Sequence, residues 1–168
     1  MPGLLAVSAC LIGRACRYDA AAKPSAPVID AVRRWREQGE VALVCPEELG
    51  GLGTPRPGAT LSGGDGAAAL DGAARVRRNH DGGDVTAQFL AGAAEAGRLV
   101  EGAEAAILKA RSPLCGCGQT SIDGRPQPGD GVFAALLRRR GVALITDEEH
   151  DALFRLARPI GTEHPKIG

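Results

Sequence analysis

Aromatic side chains are nearly missing from this chain: one Trp, one Tyr and three Phe among 168 residues. Whatever core it buries must be built from Ala, Val and Leu. Histidine is equally scarce, and His80, His150 and His164 stand in no metal-ligand or triad spacing. Charge of one sign is absent too: 20 basic and 20 acidic residues cancel, which leaves no overall field to attract a nucleic acid polymer. No apolar run approaches the length of a membrane span. Met1–Ala9 is too short for a secretory signal and runs straight into Cys10. Neither a P-loop, a Gly-x-Ser-x-Gly elbow nor a Gly-x-Gly-x-x-Gly turn after the first strand is present. These absences remove the nucleotide-cradling, serine-hydrolase and membrane classes and leave a cytoplasmic chain as the expectation.

Cysteine, glycine and proline are well supplied. Five cysteines without an export signal point to a reducing compartment, where thiols more often bind metal or act in catalysis than form disulfides. Their odd number also argues against a full disulfide framework. The 24 glycines and 11 prolines gather between the periodic segments, as expected of functional loops.

In chain order, Leu4–Ser8, Val41–Val44, Ala105–Leu108 and Ala143–Ile145 are short apolar runs that read as strands. Between them, Ser25 and Pro27 open a helix with Val28, Ile29, Val32 and Trp35 on one face, closed by Gly39. Asp84 or Thr86 caps a second helix, with Phe89, Ala93, Ala96 and Val100 recurring at helical spacing. Asp130 caps a third helix over Gly131–Arg140, and Thr146 with Glu149 is spaced as a capping box for a fourth. From Glu48 to Gly83 the pattern weakens into a Gly/Pro-rich stretch that reads as a lid loop, with a small hairpin turning at Asp71-Gly72. The alternation predicts an α/β fold: an open parallel sheet of about four strands with flanking helices, Rossmann-like, with right-handed crossovers. One domain is expected over residues 1–157, with a tail at 158–168.

Cys10, Cys45 and Cys115 each follow one of these strands. In a parallel sheet ligands bind beyond the carboxyl ends of the strands, so three thiols distant in sequence are expected at one edge. Three thiolates without a fourth make a poor structural zinc site, which closes its tetrahedron with four protein ligands. They suit a [4Fe–4S] cluster held through three irons, the fourth being open to a soft atom such as sulfur. The bland alternative is that they are small buried core residues. Cys16 and Cys117 read as accessory or loop-packing cysteines, although Cys115-Gly116-Cys117 also has the look of a redox pair.

Glu47 stands two residues beyond Cys45. Beside a negatively charged cluster its carboxyl would be held protonated, which suits a general acid; a loop carboxylate paired with Arg56 is the alternative. Ser112 is placed to bind substrate or simply to form a turn. Arg17, Arg56, Lys109 and Arg111 lie in loops where they can meet anionic or carbonyl groups. The free amides opening the helix at Asp130-Gly131 can receive an oxyanion.

Taken together, these blocks resemble the bacterial thiouracil desulfurase family. The match runs through Val7-Ser8-Ala9-Cys10-Leu11-Ile12-Gly13, Cys16-Arg17-Tyr18-Asp19, Val44-Cys45-Pro46-Glu47, Gly50-Gly51-Leu52 and Pro55-Arg56-Pro57. It continues through Gly83-Asp84-Val85-Thr86, Ile107-Leu108-Lys109-Ala110-Arg111-Ser112-Pro113, Cys115-Gly116, Gly129-Asp130-Gly131-Val132 and Ala134–Leu137. The resemblance implies that Cys10, Cys45 and Cys115 hold a [4Fe–4S] cluster whose fourth iron takes the sulfur of a thiolated pyrimidine, and that water replaces that sulfur without net redox change. Glu47 is the acid it implies here. The chain departs from the family pattern at Ala110, at Ala59-Thr60 and at Leu114, and Cys117 is an added thiol. Two rival readings remain: a non-catalytic iron–sulfur module that senses or carries sulfur, and thiol redox chemistry at Cys115 and Cys117.

Overall fold

The structure is a computed structural model that describes residues 3–156; the tail expected at 158–168 lies outside the described residues. The chain opens with β1 (Leu4–Ser8), which ends in a tight 3-10 turn over Ala9–Ile12. Helix α1 (Ala26–Arg36) is capped by Ser25, whose hydroxyl accepts from the Val28 amide, with Pro27 in the first turn. Its buried residues Val28, Ala31, Val32 and Trp35 recur at helical spacing. After β2 (Glu40–Val44) comes the single turn α2 (Pro46–Leu49), then β3 (Ala59–Ser62), α3 (Gly66–Leu70) and β4 (Arg75–Arg78). Helix α4 (Thr86–Leu99) leads into β5 (Ala103–Leu108), β6 (Gln119–Ile122) and β7 (Arg125–Pro128). Helix α5 (Val132–Arg139), β8 (Ala143–Thr146) and α6 (His150–Leu156) complete the order. Glu149 accepts from the Thr146 amide at 2.7 Å, the reach-back half of the expected capping box.

Four strands form a wholly parallel sheet in the order β2-β1-β5-β8, with helices on both faces. Successive side chains of a strand point to opposite faces, and here both faces are buried. Leu5, Val7, Ala105 and Ile107 pack with Val28, Val32 and Trp35 of α1 and Leu153 of α6. Ala6, Ala106 and Leu108 join Phe89, Ala93 and Ala96 of α4 and Phe133 and Leu137 of α5. This two-sided burial explains why the strands read as unbroken apolar runs. Small residues let the layers approach closely. A Cβ on Gly92 of α4 would lie 1.9 Å from the Pro46 carbonyl oxygen, and one on Gly50 would lie 2.2 Å from that of Gln88. The turn α2 is therefore seated directly on the backbone of α4.

The stretch from Glu48 to Gly83 is not one long loop. It carries α2, β3, α3 and β4, and β3 and β4 belong to a second sheet of order β4-β3-β6-β7. In that sheet β3 runs antiparallel to β4 and parallel to β6, and β6 pairs antiparallel with β7. Asp71-Gly72 does not turn a hairpin: Ala67–Leu70 is helical, Asp71 ends α3, and Gly72 takes the left-handed conformation (φ 79) suited to a helix terminus. The hairpin turn is the other Asp-Gly. Asp123 (φ 51) and Gly124 (φ 77) join β6 to β7, both in the left-handed region that a two-residue turn of this kind requires. Leu61, Val76 and Ile122 of this sheet pack into the same core as α4 and α5. Among the described residues, no helix is long and apolar enough to cross a membrane.

Candidate active site

Strand order in the parallel sheet reverses at β1: the chain moves outward from β1 to β2, then returns past β1 to β5 and β8. Connections leaving to opposite sides open a crevice at the carboxyl ends of the strands around that point. The structure holds a cavity of about 550 Å³ there, lined by Cys10, Cys45 and Cys115 together with Cys16, Glu47 and Ser112. The thiols expected at one edge are thus brought together.

Each reaches the cavity by a different local device. Cys10 sits in the 3-10 turn that β1 enters directly, closed by Gly13 in the left-handed region (φ 103). Cys45 ends β2 because Pro46 starts the next turn and has no amide for the ladder. Cys115 lies in the loop after β5, which is fastened at several points. Ser8, buried at the end of β1, accepts from the Lys109 amide at 3.0 Å and interacts with the Cys115 thiol. Asp147 accepts from the Ala110 amide at 2.8 Å, so this carboxylate anchors the loop and does not line the cavity. Arg111 is held in the left-handed region (φ 65), an arrangement costing a non-glycine residue about 1–2 kcal/mol and kept only where the surroundings fix it.

The amides at the start of α5 are not open to an oxyanion. Gly131 donates to Gly116, Val132 to Pro113, and Phe133 to Leu114, so the helix terminus grips the Cys115 loop instead. Asp130 is not the cap either. Gly131 takes that position, while Asp130 accepts from the Gly118 amide and pairs with Arg138. Ser112 performs the turn-forming role: its hydroxyl oxygen accepts from the amides of Leu114 and Cys115 at 3.2 and 3.1 Å. With its oxygen so engaged, its own hydrogen remains to be donated, and the residue also borders the cavity.

The structure places Cys16 among the site thiols, a position the sequence reading did not give it. It is 2% exposed, its thiol interacts with those of Cys10 and Cys45, and its carbonyl accepts from the Cys45 thiol at 3.5 Å. The available signal was its position just beyond the end of β1, in the same loop as Cys10. Cys117, by contrast, does not line the cavity and contacts Arg138 at 3.2 Å. All five cysteines are free thiols. A hydrogen bond with Cys10, assisted by burial and opposed by Cys45, pushes the Cys16 thiol up to about 11. Burial pushes Cys115 up to about 12. Cys45 is raised further by the Cys16 thiol and by burial. Bound iron would supply the positive charge that thiolates in such a buried setting require.

Glu47 lies in the first turn of α2, and Arg56 Nε donates to its Oε2 at 2.5 Å. The same guanidinium donates to the carbonyls of Cys16 (2.9 Å) and Gly53 (2.7 Å) and to the Thr54 hydroxyl (3.0 Å). Pairing with Arg56, weighed as the alternative to an acid at the site, is observed, and Glu47 lines the cavity as well. Of the other loop cations at the cavity, Lys109 faces Asp147 at 3.9 Å and Arg111 pairs with Glu148.

Among the described residues, no three His, Cys, Asp or Glu side chains stand in the geometry of a single metal-ion site. The donors around the cavity are thiols, the ligand type iron–sulfur clusters use. A cluster binds each thiolate through a different iron, so its ligands stand farther apart than around one ion. The donor set and a cavity of this size suit such a cluster.

The profile of the 2-thiouracil desulfurase family matches residues 5–149. The protein YbbK of Bacillus subtilis (strain 168), described as uncharacterized, is 36% identical over 151 residues, covering 87% of this chain and 97% of its own. A solved structure of the [4Fe-4S]-dependent thiouracil desulfidase TudS superposes with a TM-score of 0.72 at 34% identity, covering 91% of this chain and 96% of the other.

Proposed function

The chain belongs to the 2-thiouracil desulfurase family, and on that premise we propose that it removes sulfur from thiouracil or a related thiolated pyrimidine with a [4Fe–4S] cluster held by Cys10, Cys45 and Cys115. One observation carries this reading: thiols from three separate strand ends open on a single cavity, with a carboxylate and a hydroxyl on its wall. When bound, such a cluster would supply Lewis-acidic iron with affinity for sulfur.

The residues of the chain do the rest. Glu47 moves a proton at the pyrimidine as water replaces sulfur, and its orientation comes from the Arg56 guanidinium. Ser112, whose oxygen is already occupied by two amides, donates its hydrogen to a carbonyl or ring acceptor of the substrate. The buried wall of Ser8, Val44 and Leu114 keeps bulk water from the thiols. The reaction is balanced without a redox partner: the thiocarbonyl and one water become a carbonyl and hydrogen sulfide. Five free thiols agree with a reducing, cytoplasmic setting.

The test is anaerobic reconstitution with iron and sulfide, followed by assay of iron, acid-labile sulfide and sulfide release from 2- and 4-thiouracil. A brown protein that releases sulfide is expected. Colourless protein with near-zero iron would overturn the reading. A loaded cluster with no sulfide released would replace it with a carrier or sensor of sulfur.

A further inference from the structure

Two buried threonines of this chain spend their hydroxyl hydrogens on carbonyls: Thr86 donates to Val76 and Thr120 to Ser112. Ser8 has no such outlet. It closes β1, is 2% exposed, and borders the cavity beside Cys10. Its oxygen accepts from the Lys109 amide at 3.0 Å, and among the described residues no carbonyl or carboxylate takes its hydrogen. A polar group buried this deeply ordinarily finds a partner, and the side chain that Ser8 meets is the Cys115 thiol. The residue therefore stands between the amide that fastens the Cys115 loop and the sulfur that the loop carries. Leu5, Ala6 and Val7 of the same strand are wholly buried, so burial alone asks for no hydroxyl here.

We propose that Ser8 is a positioning residue for the desulfuration, its hydroxyl donating to the Cys115 sulfur when that sulfur is bound to iron. This rests on the cluster reading above. A thiolate can only accept, so in the loaded chain the hydroxyl is the donor, while its oxygen keeps the Lys109 amide. A hydrogen bond to a charged acceptor is roughly twice as strong as one between neutral groups. Hydrogen bonds to the cysteine sulfurs are also among the features that set the potential of an iron–sulfur cluster. A donor at this point withdraws electron density from the Cys115 thiolate. The more negative, reduced state is thereby favoured, and iron becomes a stronger acid toward the sulfur of a substrate. Ser8 itself makes and breaks no covalent bond; it acts through Cys115.

Wild type, Ser8→Ala, Ser8→Val and Ser8→Thr are reconstituted anaerobically, and midpoint potentials are read by redox titration followed by electron paramagnetic resonance. The Thr variant retains the hydroxyl, and the Val variant copies its shape without one. The Ala and Val variants are expected to shift the potential to more negative values, with the Thr variant close to wild type. Sulfide release from 2-thiouracil should fall by about 10–100-fold in the first two, the usual cost of removing a partner of a metal ligand, and the Thr variant should recover most of it. Loss of the Lys109 contact alone would lower the melting temperature and leave the potential where it is. Equal potentials in loaded Thr and Val variants overturn the inference while leaving the cluster reading intact; a wild type that binds no iron overturns both. A second measurement needs no variant. Resonance Raman spectra of loaded wild type, prepared in ordinary and in heavy water, should show an iron–cysteine stretch that moves on deuteration. Stretches that coincide in the two solvents overturn the inference, even where the hydroxyl-free variants are too unstable to load iron.

Discussion

Arg56 Nε meets Glu47 Oε2 at 2.5 Å, with the guanidinium 5% and the carboxylate 17% exposed. A buried ion pair of this kind fixes geometry more than it adds stability, but removing one partner strands the other charge. Arg56→Ala is expected to destabilise the chain by about 3–5 kcal/mol, because the Cys16 and Gly53 carbonyls lose their donor along with Glu47. Arg56→Lys keeps the charge but not the planar fork, so it should recover only part of the loss. Urea denaturation of the two variants measures the difference.

Glu47→Gln retains an oxygen for Arg56 and removes the proton-transfer group. Sulfide release should fall by about 10²–10⁴-fold, the usual contribution of a positioned acid or base, with iron content unchanged. A variant that loses iron as well would place Glu47 in cluster retention instead.

The cysteines divide by position. Replacing Cys10, Cys45 or Cys115 by Ser should each strip iron from the reconstituted chain, since each lines the cavity from the end of a different strand. Cys117→Ser should keep both iron and activity, because that thiol contacts Arg138 away from the cavity. Iron and acid-labile sulfide per chain distinguish the two groups.

Much of this site was legible because parallel strands buried on both faces read as plain apolar runs: Leu4–Ser8 and the core of β5 needed no other evidence. Once their carboxyl ends were placed on one edge, Cys10, Cys45 and Cys115 followed. The second sheet was hidden for physical reasons. Its strand β7 carries Pro126 and Pro128, which argue against a strand unless it lies at an edge, and β7 is an edge. Asp-Gly is a strong hairpin signal, yet Asp71-Gly72 ends a helix while Asp123-Gly124 turns the hairpin; the dipeptide satisfies both left-handed requirements, and only the flanking pairing decides. Cys16 reads as an accessory thiol because it follows no strand directly; its place in the same loop as Cys10 is the one local signal, and the hydrogen bond to its carbonyl comes from Arg56, 40 residues away.

Asp130 ties the Cys115 loop to α5 by accepting from the Gly118 amide at 2.8 Å and pairing with Arg138. Burial pushes its carboxyl up, but Arg138 and the Gly118 amide outweigh that and leave it below its ordinary value. A carboxylate lowered on folding stabilises the chain fully above its unfolded pKa near 3.8, and that contribution is lost as pH falls through the lower folded value. Asp130→Asn should therefore lower the melting temperature at neutral pH and flatten the fall in stability below about pH 4. The effect should be modest and salt-sensitive, because Arg138 is about half exposed. Melting curves of both chains across pH 3–7 measure it.

The seat of Glu47 is a contact between two backbones. Gly92 of α4 lies so close to α2 that an added Cβ would stand 1.9 Å from the Pro46 carbonyl oxygen, and backbone cannot swing aside as a flexible side chain can. Gly92→Ala must push α2 outward, carrying Glu47 and the end of Cys45 with it, at about 1–3 kcal/mol of overpacking. Ala is otherwise the better helix former by about 1 kcal/mol, so a neutral or stabilised variant would show that α2 does not rest on α4 as described. The expected result is a lower melting temperature and, at temperatures where the variant is fully folded, a loss of sulfide release. Displacement of Glu47 by as little as an ångström is enough to reduce a proton transfer that depends on its position. A further arm, Gly97→Ala on the same helix, meets the side chains of Leu136 and Arg140 rather than backbone. It should affect stability with little change in activity, separating strain on α4 in general from displacement of α2.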